Sequence, residues 1–222
     1  MRLVLAGAAA VALLAVLPAE SATRPAPAAL IEQGLARAVA AGRLTPAEAG
    51  GYRGALARAR TEAKGLPPLR AALLSAVIAD VAGQWRSYTR PRALTLFSTL
   101  SVNTDWLAGH ALAGPHPDLA GDDGAVYRFF STHGYVFHPL ANFAKLNSVV
   151  AAGDLDGTER LAAALLARAV PVGKALVWEY EFSFASGHAP WTSGMAQAVA
   201  AQPALRELKP KPGAGTCGPQ VP

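Results

Sequence analysis

Thr45–Ser87 reads TPAEAGGYRGALARARTEAKGLPPLRAALLSAVIADVAGQWRS, and its punctuation decides the fold class. Thr45-Pro46-Ala47-Glu48 is a helix start: a threonine cap, a proline in the first turn, and a glutamate placed to complete a capping box. The helix it opens is predicted to run to about Lys64, with Gly50-Gly51 weakening its first turns. Gly65-Leu66-Pro67-Pro68 breaks the chain. A second helix is predicted from Leu69 to about Ser87, and Leu69, Leu73, Leu74, Val77, Ile78 and Val81 cover most of its circumference, so it is a buried one. Two helices joined by a short break make an antiparallel hairpin.

The same pattern extends outward. Leu30 to Ala41 places Leu30, Ile31, Gly34, Leu35, Ala38 and Val39 on one helical face, and Gly42 ends it. After a break at Arg90-Pro91-Arg92, Ala93 to about Ala111 is a further helix. Gly114–Gly124 is a loop. Tyr127–Phe137 is aromatic enough to be extended. Pro139 sits just inside a helix that carries Leu140, Phe143, Leu146 and Val150. Gly153–Gly157 is a turn, Thr158–Ala169 a helix, Val177–Phe184 irregular or extended, and Pro190 opens a helix to Gln202. The expected fold is therefore all-α, a partial α/α toroid of antiparallel helix pairs with one short extended aromatic segment. A plain helical bundle is the competing architecture.

Composition sets limits on partners. The chain has 222 residues, 52% hydrophobic and 16% charged, with a formal net charge of +5. That is enough apolar material for one medium domain. The basic residues are scattered, with no run dense enough for a nucleic-acid arm. A mildly basic balance suits an acidic ligand such as a uronic-acid polymer, and equally suits solvated arginines on helix faces. Residues 1–22 read as a cleaved secretory signal, with a positive start, an apolar run from Leu3 to Leu17 and small residues around Ala22. Residues 23–29 are a Pro/Ala linker, 30–202 the helical domain, and 203–222 a disordered tail. No later segment is long and apolar enough to span a bilayer. The single cysteine, Cys217, excludes an internal disulfide and a cysteine-based metal site.

Three blocks stand out from the alanine-rich background: YVFHPLANF (Tyr135–Phe143), VWEYEFSF (Val177–Phe184) and APWTSGMAQ (Ala189–Gln197). With Leu146-Asn147 they resemble the C-terminal domain of the D-glucuronyl C5-epimerase family, over roughly Thr95 to Gln202. The segment Pro190-Trp191-Thr192-Ser193-Gly194-Met195-Ala196-Gln197 is the most specific part. The resemblance implies an α/α toroid acting on D-glucuronate units of a glycosaminoglycan or related polysaccharide. The C5 proton is removed and one is returned from the opposite face, giving L-iduronate. Two proton-transfer groups flanking the ring are required, and no metal or organic cofactor is implied. The family pattern continues beyond Gln202, whereas here Gln202-Pro203 is expected to stop the helix. The late tyrosine and arginine positions then have no counterpart, as in a truncated or frame-shifted member.

The candidate catalytic residues are Tyr180 and Glu179. Glu179 and Glu181 alternate along an extended segment and so share a side, with Tyr180 opposite. The pair reads as acid/base carboxylates or as solvated acids. Candidate substrate-binding residues are Tyr135, His138, Asn142, Trp191, Ser193 and Gln197. Trp191 offers an aromatic face to a pyranose or to the core. His138 stands at a helix N-terminus, where a carboxylate is welcome. Ser193 and Gln197 share a helical face. Tyr127, His133 and Asn147 are weaker candidates. Two other functional classes stay open: a polysaccharide lyase or glycoside hydrolase on a similar toroid, and a non-catalytic glycan-binding protein. An incomplete toroid also implies exposed apolar helix faces and self-association.

Overall fold

The computed structural model describes residues 25–184 and 187–207. The expected signal sequence, and the tail after Glu207, lie outside them. The described chain is mostly helical, with a few short strands. Its first half is four helices: α1 (Pro27–Ala40), α2 (Pro46–Gly65), α3 (Pro68–Gly83) and α4 (Arg90–Gly109). Thr45 caps α2 with the full reciprocal box to Glu48. Two boundaries differ from expectation for one reason. α1 begins at Pro27 rather than Leu30, and Arg90-Pro91-Arg92 is the first turn of α4 rather than a break. Proline is tolerated in a first turn, where no N–H is needed.

α1 packs on α3 and α2 on α4, while each also meets its hairpin partner, so odd and even helices form two layers. Ile31, Leu35, Leu56, Leu74, Val77, Leu96, Phe97 and Leu100 fill the space between them. Gly34 lets α1 approach the end of α3 closely, since a Cβ there would stand 2.6 Å from the Trp85 carbonyl oxygen.

The second half opens with a three-stranded antiparallel sheet, β1 (Leu119–Ala120), β2 (Val126–Phe130) and β3 (Gly134–Phe137), in that spatial order. β2 and β3 form a hairpin with Tyr127 opposite Phe137 and Phe130 opposite Gly134. Every residue of β3 is buried, because the strand lies between α3 and α4 on one side and a second core on the other. That core is built on α5 (Pro139–Ala152) and α6 (Leu155–Ala167). The hairpin β4 (Val170–Val172) and β5 (Ala175–Val177) follows. A two-residue pair, β6 (Glu179–Tyr180) and β7 (Trp191–Thr192), leads into α7 (Gly194–Glu207), which packs along α5.

Two expectations for this end are corrected. Pro190 does not open a helix: Trp191 and Thr192 pair with Tyr180 and Glu179, and α7 starts only at Gly194, after Ser193. Nor does the helix stop at Gln202, for α7 continues through Pro203 to Glu207. A proline removes a single intrahelical donor, a loss the helix carries. No described helix is long and apolar enough to cross a membrane.

Candidate functional site

The three sequence blocks meet in space. Tyr180 stacks on Trp191, ring centres 4.2 Å apart, and meets His138 edge-on at 5.2 Å. Its hydroxyl accepts the Leu140 N–H at 3.4 Å, at the start of α5. Phe130, Phe182 and Phe184 extend the aromatic cluster toward the surface, where Phe184 is exposed.

Most of the candidate binding residues are consumed in building this unit. Asn142 is wholly buried and bonds both sides of the Val126 peptide, accepting its N–H at 2.7 Å and donating to its carbonyl at 2.8 Å. Tyr135 is also wholly buried, and its hydroxyl donates to the Pro117 carbonyl. His138 caps α5, its Nδ1 accepting the Ala141 N–H at 3.1 Å. Burial, with Arg128 nearby, lowers its pKa to about 4, so it is neutral at physiological pH. Gln197 bonds both the N–H and the carbonyl of Trp178, which ties the end of β5 to α7. Tyr135, His138, Asn142 and Gln197 are thus engaged in structural bonds, because short strands and a helix start leave backbone groups that side chains must satisfy. Trp191 is half-buried and donates its indole N–H to the Phe182 carbonyl. Ser193 Oγ accepts the Ala196 N–H at 3.4 Å, capping α7. Asn147 donates to Gln202 across the α5–α7 contact.

The acid of β6 and the acid that follows the strand have separate fates. Glu179 is held by Arg92 through two bonds of 2.7 and 2.8 Å. Glu181 is buried, with Oε2 unpartnered among the described residues. Burial first, and Glu179 second, raise its pKa to about 8. It borders a cavity of about 10 Å³, no larger than one water, with Asp80, Thr99 and Phe182. Burial also raises the pKa of Tyr180, so its phenol is a proton donor. His133 is bonded to Asp80 at 2.7 Å, a pairing without a sequence signal.

A wide cleft lies elsewhere. A cleft of about 780 Å³ opens between α2, α4 and the chain around β1. Tyr52 of α2, stacked at 4.5 Å on Phe97, forms one wall, and Trp106 of α4, stacked at 5.2 Å on His110, another. Leu119–Asp123 closes the third side. Arg168, at the end of α6, is buried and donates to the Ala164 carbonyl, Ser98 and the Tyr127 hydroxyl. Its charge is met by Asp123 at 2.6 Å. Tyr127, a weaker sequence candidate, reaches this cleft, whereas none of the principal ones does. The readable signal was the polar stripe Ser98, Ser101, Asp105 on one face of α4, beside Val102 and Trp106.

Compared with protein families, curated proteins and solved structures, the chain shows no match.

Proposed function

We propose that this is a secreted protein of the D-glucuronyl C5-epimerase type, acting on a uronate-containing polysaccharide by C5 proton removal and return. The observation that carries this reading is that the three blocks with family resemblance, the first well separated in sequence from the other two, pack around Tyr180 as one unit. The two-layered helix pairs are read as an arc of an α/α toroid. Arg92, held by Glu179, supplies the cation for a substrate carboxylate. A uronate that reached Arg92 would displace Glu179 and leave it a free base. Tyr180, protonated at neutral pH, is the donor in the same unit.

A second reading, glycan binding without turnover, is favoured by a specific feature. Glu179 and Tyr180 are adjacent in a strand and leave it on opposite faces, so they do not flank one sugar ring as it stands. Incubation with a glucuronate polymer in D2O, read by NMR at C5, separates the two. Exchange that disappears in Arg92→Gln supports the epimerase. Binding without exchange in the folded protein rejects it in favour of the second reading. Release of unsaturated uronate would instead identify a lyase.

A further inference from the structure

We propose that the cleft between α2, α4 and β1 binds uncharged pyranose units of a saccharide, and that it discriminates against uronates. Its volume of about 780 Å³ is that of an oligosaccharide or drug-sized ligand site rather than of a packing defect. Two of its walls are aromatic. Tyr52 has Phe97 on its ring and Trp106 has His110, and both remain half-buried at the cleft. Such rings take the apolar face of a sugar. Between them the lining is polar: Ser98 and Ser101 bring hydroxyls, and Glu48, Asp105, Asp122 and Asp123 bring carboxylates. Ionised carboxylates only accept hydrogen bonds, which suits the O–H groups of a neutral sugar.

The charges decide the ligand class. The one arginine or lysine of the lining among the described residues, Arg168, is 3% exposed and already paired with Asp123. Glu48 and Asp105 are in turn paired with Arg90 and Arg58. No guanidinium of the lining lacks a salt bridge among the described residues, while a uronate would bring its carboxylate beside Asp122, which no described cation pairs, and three carboxylates already paired. Arg168 acts here as a buried post that fixes Asp123 and the Tyr127 hydroxyl in position. The assignment holds whether or not the chain exchanges a C5 proton, since the acid–base unit around Tyr180 involves none of these residues.

The probes are cellotetraose, chitotetraose and a uronate tetramer, titrated into the whole protein and followed by two-dimensional NMR and tryptophan fluorescence. At least one neutral tetramer should saturate the Trp106 indole signal, and the uronate should bind at least about tenfold more weakly. Tyr52→Ala should weaken the neutral sugar by about tenfold, the size of one lost stacking contact. Ala120→Trp fills the cleft from an exposed wall without removing packing, so it should abolish binding in a protein of unchanged circular dichroism. Phe184→Ala, in the other aromatic cluster, should leave binding unchanged. The assignment is overturned if neither neutral tetramer saturates, if the uronate binds as tightly, or if Phe184→Ala removes binding that Ala120→Trp spares. A protein that binds neutral sugar and shows no C5 exchange would sink the epimerase reading alone.

Discussion

The first four helices and the chain after β1 are held together by different means. In the first half, the core is Leu, Ile, Val and Ala at helical spacing, and the helix interiors pair their own backbone groups. In the second half, the strands are two to five residues long and cannot pair all their peptide groups. Buried side chains take over: Asn103 bonds both the N–H and the carbonyl of Tyr135, Asn142 does the same for Val126, and Gln197 for Trp178. Where regular structure is short, polar side chains become framework.

The sharpest way to break this contrast is to remove one amide. Asn142→Ala leaves a buried N–H and a buried carbonyl of Val126 without their side-chain partner. The Val126 carbonyl keeps the His138 N–H, so the stranded group is the buried Val126 N–H, and the loss should be about 1–3 kcal/mol in urea unfolding. Asn103→Ala should cost a similar amount, and Gly134→Ala should damage the same joint, since φ is +66° there and a Cβ would run into Asn103 Oδ1. In the first half, the comparison is a buried hydroxyl that bonds only within its own helix. Thr104, also buried on α4, bonds only to Leu100 one turn back, so Thr104→Val should cost about 1 kcal/mol or less. Equal losses for Asn142→Ala and Thr104→Val would end the contrast.

This difference also explains what was legible in the sequence. The capping box at Thr45, the buried face of α3 and the extended character of Tyr127–Phe137 follow from local periodicity and composition, which the fold obeys, whereas the turn that folds that segment into a hairpin does not. The candidate site was another matter. Asn142, His138, Gln197 and Tyr135 are polar or amphipathic residues among aromatics, the composition of a sugar site. It is also the composition of a framework built from side-chain bonds, and only the partner distinguishes the two. Beyond the polar stripe of α4, the cleft has no local sequence signal, because it needs Tyr52, Trp106 and Arg168 from three helical regions far apart in sequence.

A second test concerns charge rather than hydrogen bonding. Glu181 has a folded pKa of about 8, above the ordinary 4.5, because it is buried. The folded state therefore holds a proton that the unfolded state gives up. Its stability contribution is full below the unfolded pKa and is lost as pH rises toward 8, at about 1.4 kcal/mol per unit of separation. Glu181→Gln keeps the neutral shape and should remove this slope. The variant should match the wild type near pH 4 and exceed it by on the order of a few kcal/mol at pH 9. The facing groups are Glu179 and Arg92 beside the strand, Gln84 at the end of α3, and Asp80 bonded to His133. An unchanged slope in the variant would assign the pH dependence to the Asp80–His133 pair.

The smallest expected effect compares two helix caps, one from each half. Thr45 caps α2 at the surface, and His138 caps α5 from a buried position. Removing either side chain with alanine should cost about 1 kcal/mol at pH 7, so at that pH the halves look alike. Acid should separate them. The folded pKa of His138 is about 4, below its ordinary 6.5, because burial and Arg128 oppose the charged ring. Unfolded chain takes up a proton that the folded chain refuses, so this contribution is present above pH 6.5 and is lost as pH falls toward 4. Protonated Nδ1 also ceases to accept the Ala141 N–H. His138→Ala should therefore lose its penalty between pH 6.5 and 4, and end more stable than the wild type at the acid limit. The Thr45→Ala penalty should stay nearly constant down to pH 5.5 and fall only slightly below it, as the Glu48 carboxyl that Thr45 holds below its ordinary range begins to titrate. Parallel urea titrations of both variants at pH 7, 5.5 and 4.5 would read the divergence, and caps that weaken together would show that burial of the cap has no energetic consequence.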